Sequence, residues 1–371
     1  MTHLSILGKS AHRFAARMLF AASLALVLVS PAAAQPLAQA GGLESSAPDN
    51  LRCPGQPGPK DGFHFESEWQ NLATYAGPVL QIALDHSCNL YVVDPVANQV
   101  VKYNADGQQI TAVNMLTRDT GTDAVAGVAV AQDGTIYVAD PGLHQVRKLS
   151  PSGKELGAWK SCDCVGQPGW MVAPVSIAID GTSNNVYVLD QSADTVTRYS
   201  PDGKIQKVFG SQGSGPGQFD VPKAITLDRQ GNLYVADWGN HRIQKFSSDG
   251  AVLGQFGSDG NGPGQIHLPS GIAVDRDGNM YVSDSDNWRM IKFAADGTPV
   301  DQYPPCGGPG ECGVLDGANP GQFFDHNGVV VDGQGNLYVA DSGNNRVERR
   351  MVIEVANPPA AGTTDAGGDQ E

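Results

Sequence analysis

Charge is scarce in this chain of 371 residues: only 17% are Asp, Glu, Lys or Arg, and acidic residues outnumber basic ones 39 to 24. Phosphate backbones are bound largely by Lys and Arg neutralisation, so the imbalance argues against a nucleic-acid partner. Long apolar runs are missing as well, apart from one at residues 18–29. Without that run the protein is expected to be soluble, with no membrane insertion. Cysteine is sparse, at six residues. Gly-rich stretches such as Gly213-Ser-Gly-Pro-Gly217 occur, but no Lys-Ser/Thr follows them and no helix pattern begins there, which excludes a phosphate-cradling loop. Nothing in the spacing of Ser, His, Asp and Cys selects a catalytic triad. What the chain has is 46 Gly and 24 Pro, the mark of a turn-rich β protein rather than a helical one.

The single apolar run follows Lys9, Arg13 and Arg17 and precedes Ala32-Ala33-Ala34, a small-residue cleavage site before Gln35. Residues 1–34 therefore read as a signal peptide, and the mature protein as secreted or periplasmic. An uncleaved anchor is the alternative, but residues 18–34 are at the short end of what spans a bilayer. No Cys stands at the cleavage site, which argues against a lipoprotein. Cleavage would leave 21 basic and 39 acidic residues, a net charge near −18. Residues 35–61 read as a Pro/Gly-rich linker, 62–356 as the folded domain and 357–371 as a disordered acidic tail.

Asn-Leu-Tyr-Val-Ala-Asp, clearest at residues 232–237 and 336–341, recurs along the domain. Its last residue aligns six times, at Asp94, Asp140, Asp190, Asp237, Asp284 and Asp341, in steps of 46, 50, 47, 47 and 57. A period of this length means one supersecondary unit that must stack on its neighbours to bury its faces. In residues 219–257 an alternating run, a Gly turn, a nearly all-apolar run, a loop and two further runs read as four strands, a to d. Six such units make an all-β, six-bladed β-propeller of four-stranded antiparallel blades. The sixth unit lacks strand d, while residues 62–69 resemble one. The N-terminal strand is therefore expected to close the ring inside blade six and remove its open edge.

The six cysteines suit an oxidising compartment. Cys306 and Cys312 bracket a short loop and are expected to clasp it. Cys162 and Cys164 either bridge locally or bind metal as a pair. Cys53 and Cys88 fall on the same side of adjoining blades and are expected to lock the closing strand.

Residues 228–246 and the Gly-Ser-Gly-Pro-Gly-Gln-Phe stretch at 213–219 resemble NHL repeats. The resemblance covers about 290 residues and is best in blades four to six; Val96-Ala-Asn98 and Ser192-Ala-Asp194 depart from it. It implies the propeller fold, but NHL propellers include binding platforms, sensor domains, RNA binders and a peptide-amidating lyase, so fold alone selects no activity.

The repeated Asp, followed five residues later by Arg242, Arg289 and Arg346, reads as a structural unit because it stands in every blade. The basic residue eight positions on (Lys102, Lys148, Arg198, Lys245, Lys292, Arg349) is expected to face solvent on the outer wall. Asp275-Arg-Asp277-Gly278 reads as an a–b turn, with calcium as a minor alternative. Three histidines, His144, His241 and His326, could converge as an open zinc site, although the lyase family places its metal histidines where Val175, Lys223, Ser270 and Asn327 stand here. No cofactor is required.

In a propeller the d–a and b–c loops share one rim. Trp170, Trp238 and Trp288 are candidate anchors on it, with His144, His241, His326 and Asn327 as polar contacts; packing between blades is the alternative for the tryptophans. The expected function is an exported, non-catalytic module binding a protein, peptide or glycan. The alternatives are a metal-dependent lyase or hydrolase working at the axial mouth, and a purely structural role in an envelope assembly.

Overall fold

The computed structural model describes residues 63–69, 81–115, 125–160, 170–303, 323 and 326–352, the first seven and the last three by backbone alone. The chain divides after Gly42, and the fold belongs to the second unit, Leu43–Glu371. The signal segment, the linker, Cys53, the Cys162–Cys164 and Cys306–Cys312 loops and the acidic tail lie outside the described residues.

Among the described residues, twenty-four strands form six antiparallel sheets of four. Blade four shows the pattern: Ala224–Leu227, Leu233–Asp237, Arg242–Phe246 and Val252–Phe256, inner to outer. Strand b is buried along its whole length in every blade because both of its faces pack on neighbouring sheets. In blades one to five strand d is half exposed, since it forms the outer wall.

The core is correspondingly six cores, one per interface between blades. Val235, Phe246 and Phe219 meet Tyr187 and Leu189 between blades three and four; Ile243, Ala236 and Tyr234 meet Met280 and Phe293 between four and five. Each inner strand touches the next, and Ile82–Leu84 of blade one touches His326–Val331 of blade six, so the ring is closed. Closeness is bought with glycine: a Cβ on Gly127 would lie 2.6 Å from the Val175 carbonyl, and one on Gly271 would collide with that of Asn327.

Phe63–Trp69 is the outer strand of blade six. It pairs antiparallel with Arg346–Val352, Phe63 opposite Val352 and Trp69 opposite Val347, with a bulge between Phe65 and Ser67. The closing strand thus comes from the front of the domain, as the missing fourth strand requires. Cys88, in the a–b turn of blade one, is buried and disulfide-bonded; its expected partner Cys53 is outside the described residues.

One expectation is corrected. The basic residue eight beyond the repeat Asp does not face open solvent. Lys102, Lys148, Lys245, Lys292 and Arg349 lie 4.8–5.6 Å from the ring centroids of the strand b tyrosines Tyr91, Tyr137, Tyr234, Tyr281 and Tyr338. Lys102 also pairs with Asp85 at 3.0 Å and Lys245 with Asp228 at 3.5 Å, in the a–b turns. The cation is drawn inward because tyrosine offers a π-face and the turn a carboxylate.

Candidate functional site

The rim is built around the repeated aspartates. Asp237 is fully buried, and its carboxylate accepts from the Asp220 amide, Asn240, Arg242 and Gln244 at 2.8–3.1 Å. Burial pushes the carboxyl pKa up, against these donors. Arg242 extends the network: its remaining N–H groups reach Gln255 and the carbonyls of Ser214, Gly215 and Gln218. Blade five repeats this, with Arg289 bonded to Asp284, Gln302 and the carbonyls of Asn261, Gly262 and Gln265. The Gly-Pro-Gly loops are therefore held by a guanidinium, whose rigid fork of donors suits several carbonyls at once.

Four residues beyond each Asp the backbone turns left-handed, at Asn98, His144, Asp194, His241, Trp288 and Asn345 (φ +49° to +54°). In blades four to six this residue ends a short 3-10 turn: Trp238–Asn240, Ser285–Asn287 and Ser342–Asn344. In blades one to four the side chain at this position latches onto the following d–a loop. Asn98 accepts from the Val125 amide, Asp194 from Val221 and His241 Nδ1 from Leu268, while His144 Nδ1 donates to the Val172 carbonyl at 2.6 Å. Asn and Asp tolerate this backbone; a bulky side chain there is an outlier. Trp288 is such an outlier.

Between blades four and five the rim gathers several polar and aromatic groups. His241 and His267 stack at 4.6 Å between centroids, 22° from parallel. Asp259 Oδ1 lies 2.6 Å from His267 Nδ1 and 3.7 Å from His241 Nδ1, and the bond from His267 holds this exposed carboxyl below the usual carboxylate range. His267 Nε2 faces Asp286 Oδ2 at 3.3 Å. Trp238 is half-buried, with Lys223 Nζ 5.0 Å from its ring centroid, and Trp288 is half-buried two residues beyond Asp286. Neither tryptophan belongs to any inter-blade core among the described residues. Trp159, by contrast, packs between Tyr137 and Tyr199.

The structure thus groups His241 with Asp259, His267 and Asp286, the last three missed by sequence reasoning, and sets Trp238 on the turn of His241 and Trp288 on that of Asp286. His267 sits two residues before Pro269, where its amide donates to Asp284 just as the Asp220 amide donates to Asp237. That shared offset of 17 residues was the available signal. Trp170 is half-buried at the edge of an undescribed loop. His144 is exposed in blade two, away from this group.

His326 is not a rim contact. It is fully buried, stacked on Phe323 at 4.6 Å, with Nε2 donating to the Arg289 carbonyl at 2.9 Å. Its own carbonyl accepts from Ser270 and Ser285. Asn327 ties its strand to the b–c turn through Ser342 at 2.8 Å. The axis holds a cavity of about 240 Å³ lined by the six inner strands. Its described lining is aliphatic, with Gln81 and Thr226 the polar side chains and none ionisable. In Asp275-Arg-Asp277-Gly278, the Asp275 oxygens accept from Asp277, Asn279 and Tyr281 as an a–b turn.

The fold is a six-bladed β-propeller, with repeats similar to NHL repeats in two of its blades. The NHL repeat family matches at residues 219–246 and 327–349. No curated protein matches the chain in sequence. Among solved structures the chain is similar to virginiamycin B lyase from Staphylococcus aureus (16% identity over 78% of this chain and 100% of that one, TM-score 0.54). It is also similar to a gluconolactonase from Xanthomonas campestris (18%, 80% and 99%, 0.55) and to a chain of a nidogen/laminin complex (20%, 71% and 89%, 0.52). At these identities the likeness is one of fold.

Proposed function

We propose that the protein is an exported, non-catalytic binding module that takes a protein, peptide or glycan on the loop rim of blades four and five. The observation that carries this reading is Trp288: a half-exposed tryptophan outside every described core, held in left-handed backbone, a conformation that costs about 1–3 kcal/mol. Large aromatic side chains fixed on braced turns give contact area at little entropic cost, as a recognition surface needs. The nidogen/laminin neighbour is a protein-binding example on this fold.

A metal-dependent lyase or hydrolase at the axial mouth is the second reading, supported by the lyase and gluconolactonase neighbours. The aliphatic axial lining offers that chemistry no acid, base or ligand among the described residues. The test is the double substitution Trp238→Ala with Trp288→Ala, using a ligand captured by the immobilised mature protein. We expect stability within about 0.5 kcal/mol of the parent and affinity weakened by about 2 kcal/mol or more. Unchanged affinity, or destabilisation that accounts for the loss, would assign both residues to packing.

A further inference from the structure

His267 is caught between two carboxylates. Nδ1 lies 2.6 Å from Asp259 Oδ1, and Nε2 lies 3.3 Å from Asp286 Oδ2. Ionised carboxylates only accept, and a neutral imidazole has one N–H to give. Both contacts are met only if the ring is an imidazolium donating from both nitrogens, or if a cation takes the place of one proton. A second imidazole stands ready beside it. His241 accepts the Leu268 amide at Nδ1, 3.2 Å away, so that this atom carries a lone pair rather than a proton, and it lies 3.7 Å from the same Asp259 oxygen. One ligand atom each from His241, Asp259 and His267 falls within 4.8 Å of the others.

We propose that this cluster binds a divalent transition metal ion of the zinc class, with His241, Asp259 and His267 as ligands and Asp286 as a fourth ligand or an orienting partner of His267. Two imidazoles and a carboxylate are borderline ligands that suit zinc, and they are poor for calcium or magnesium, which take oxygen. Closing on an ion with bonds near 2.0–2.2 Å asks the Asp259–His267 contact to open and His241 to exchange its long bond to the Leu268 amide for the metal. Asp259 and His267 are on the loop between blades, His241 on the turn of blade four and Asp286 on the turn of blade five. One ion would thus staple three segments of the rim, two of which carry Trp238 and Trp288. With three protein ligands, a coordination position stays open to solvent or to a partner's carboxylate or imidazole.

The test is zinc titration by calorimetry of the full mature protein, oxidised and stripped with chelator. We expect one equivalent bound by the parent, about tenfold or more weaker binding in His241→Ala with His267→Ala, a comparable loss in the isosteric Asp259→Asn, and parental binding in His144→Ala. Circular dichroism of each variant reports its folding independently. No zinc binding by the parent, equal affinity in the double variant, or an equal loss in His144→Ala would overturn the assignment.

Discussion

Arg289 has no exposure to water, and its partner Asp284 has none either. A buried pair gains little over an apolar pair, but removing one member strands the other's charge. Arg289→Met should therefore cost about 3–5 kcal/mol, read as a shift in the urea midpoint, even though the methionine fills much of the same space. A cost under about 1 kcal/mol would show that Asn287 and the His267 amide satisfy Asp284 unaided. The five-residue spacing from Asp to Arg was plain in the sequence, and its structural role followed from its repetition. What the guanidinium bonds to was not legible, because its carbonyl partners lie 24–28 residues upstream and have no side-chain signature. The inward turn of Lys102 and its counterparts was missed for a related reason. Alternation along strand c gives the face of a side chain, but not that a tyrosine on strand b occupies that face.

Strand order was readable because each blade carries the same run of turn residues and apolar alternation, and because the last blade was one strand short. The pairing of Phe63–Trp69 with Arg346–Val352 follows from that deficit and from the likeness of residues 62–69 to the other strands d. Removing residues 62–72 should expose the ladder edge of the last strand and yield an aggregating product, or one that melts without a cooperative transition. A monomeric deletion with a sharp parental melt, checked by light scattering and calorimetry, would mean the ring holds without its clasp. The left-handed residue of each b–c turn was less legible. Asn98, Asp194 and Asn345 announce such a backbone, whereas His241 and Trp288 do not, so their common position emerged only from the coordinates.

Six similar blades make a ring whose faces differ only where the repeats do. The a–b turns and inner strands vary little, and the axial cavity they enclose is aliphatic. Difference is concentrated on the other rim, above all in the turns and loop of blades four and five that carry Trp238, Trp288 and the His241–Asp259–His267 cluster. Sequence placed the two tryptophans and His241 there, but could not bring Asp259 and His267 to them, since loop closure across blades is a property of the assembled ring. The most direct measurement is hydrogen–deuterium exchange of residues 35–371 with and without a ligand captured by that protein. The account predicts slowed exchange confined to residues 238–241, 257–268 and 285–288, with the a–b turns and outer strands unchanged. Protection centred on the axial strands or the outer walls, with these loops unaffected, would contradict it.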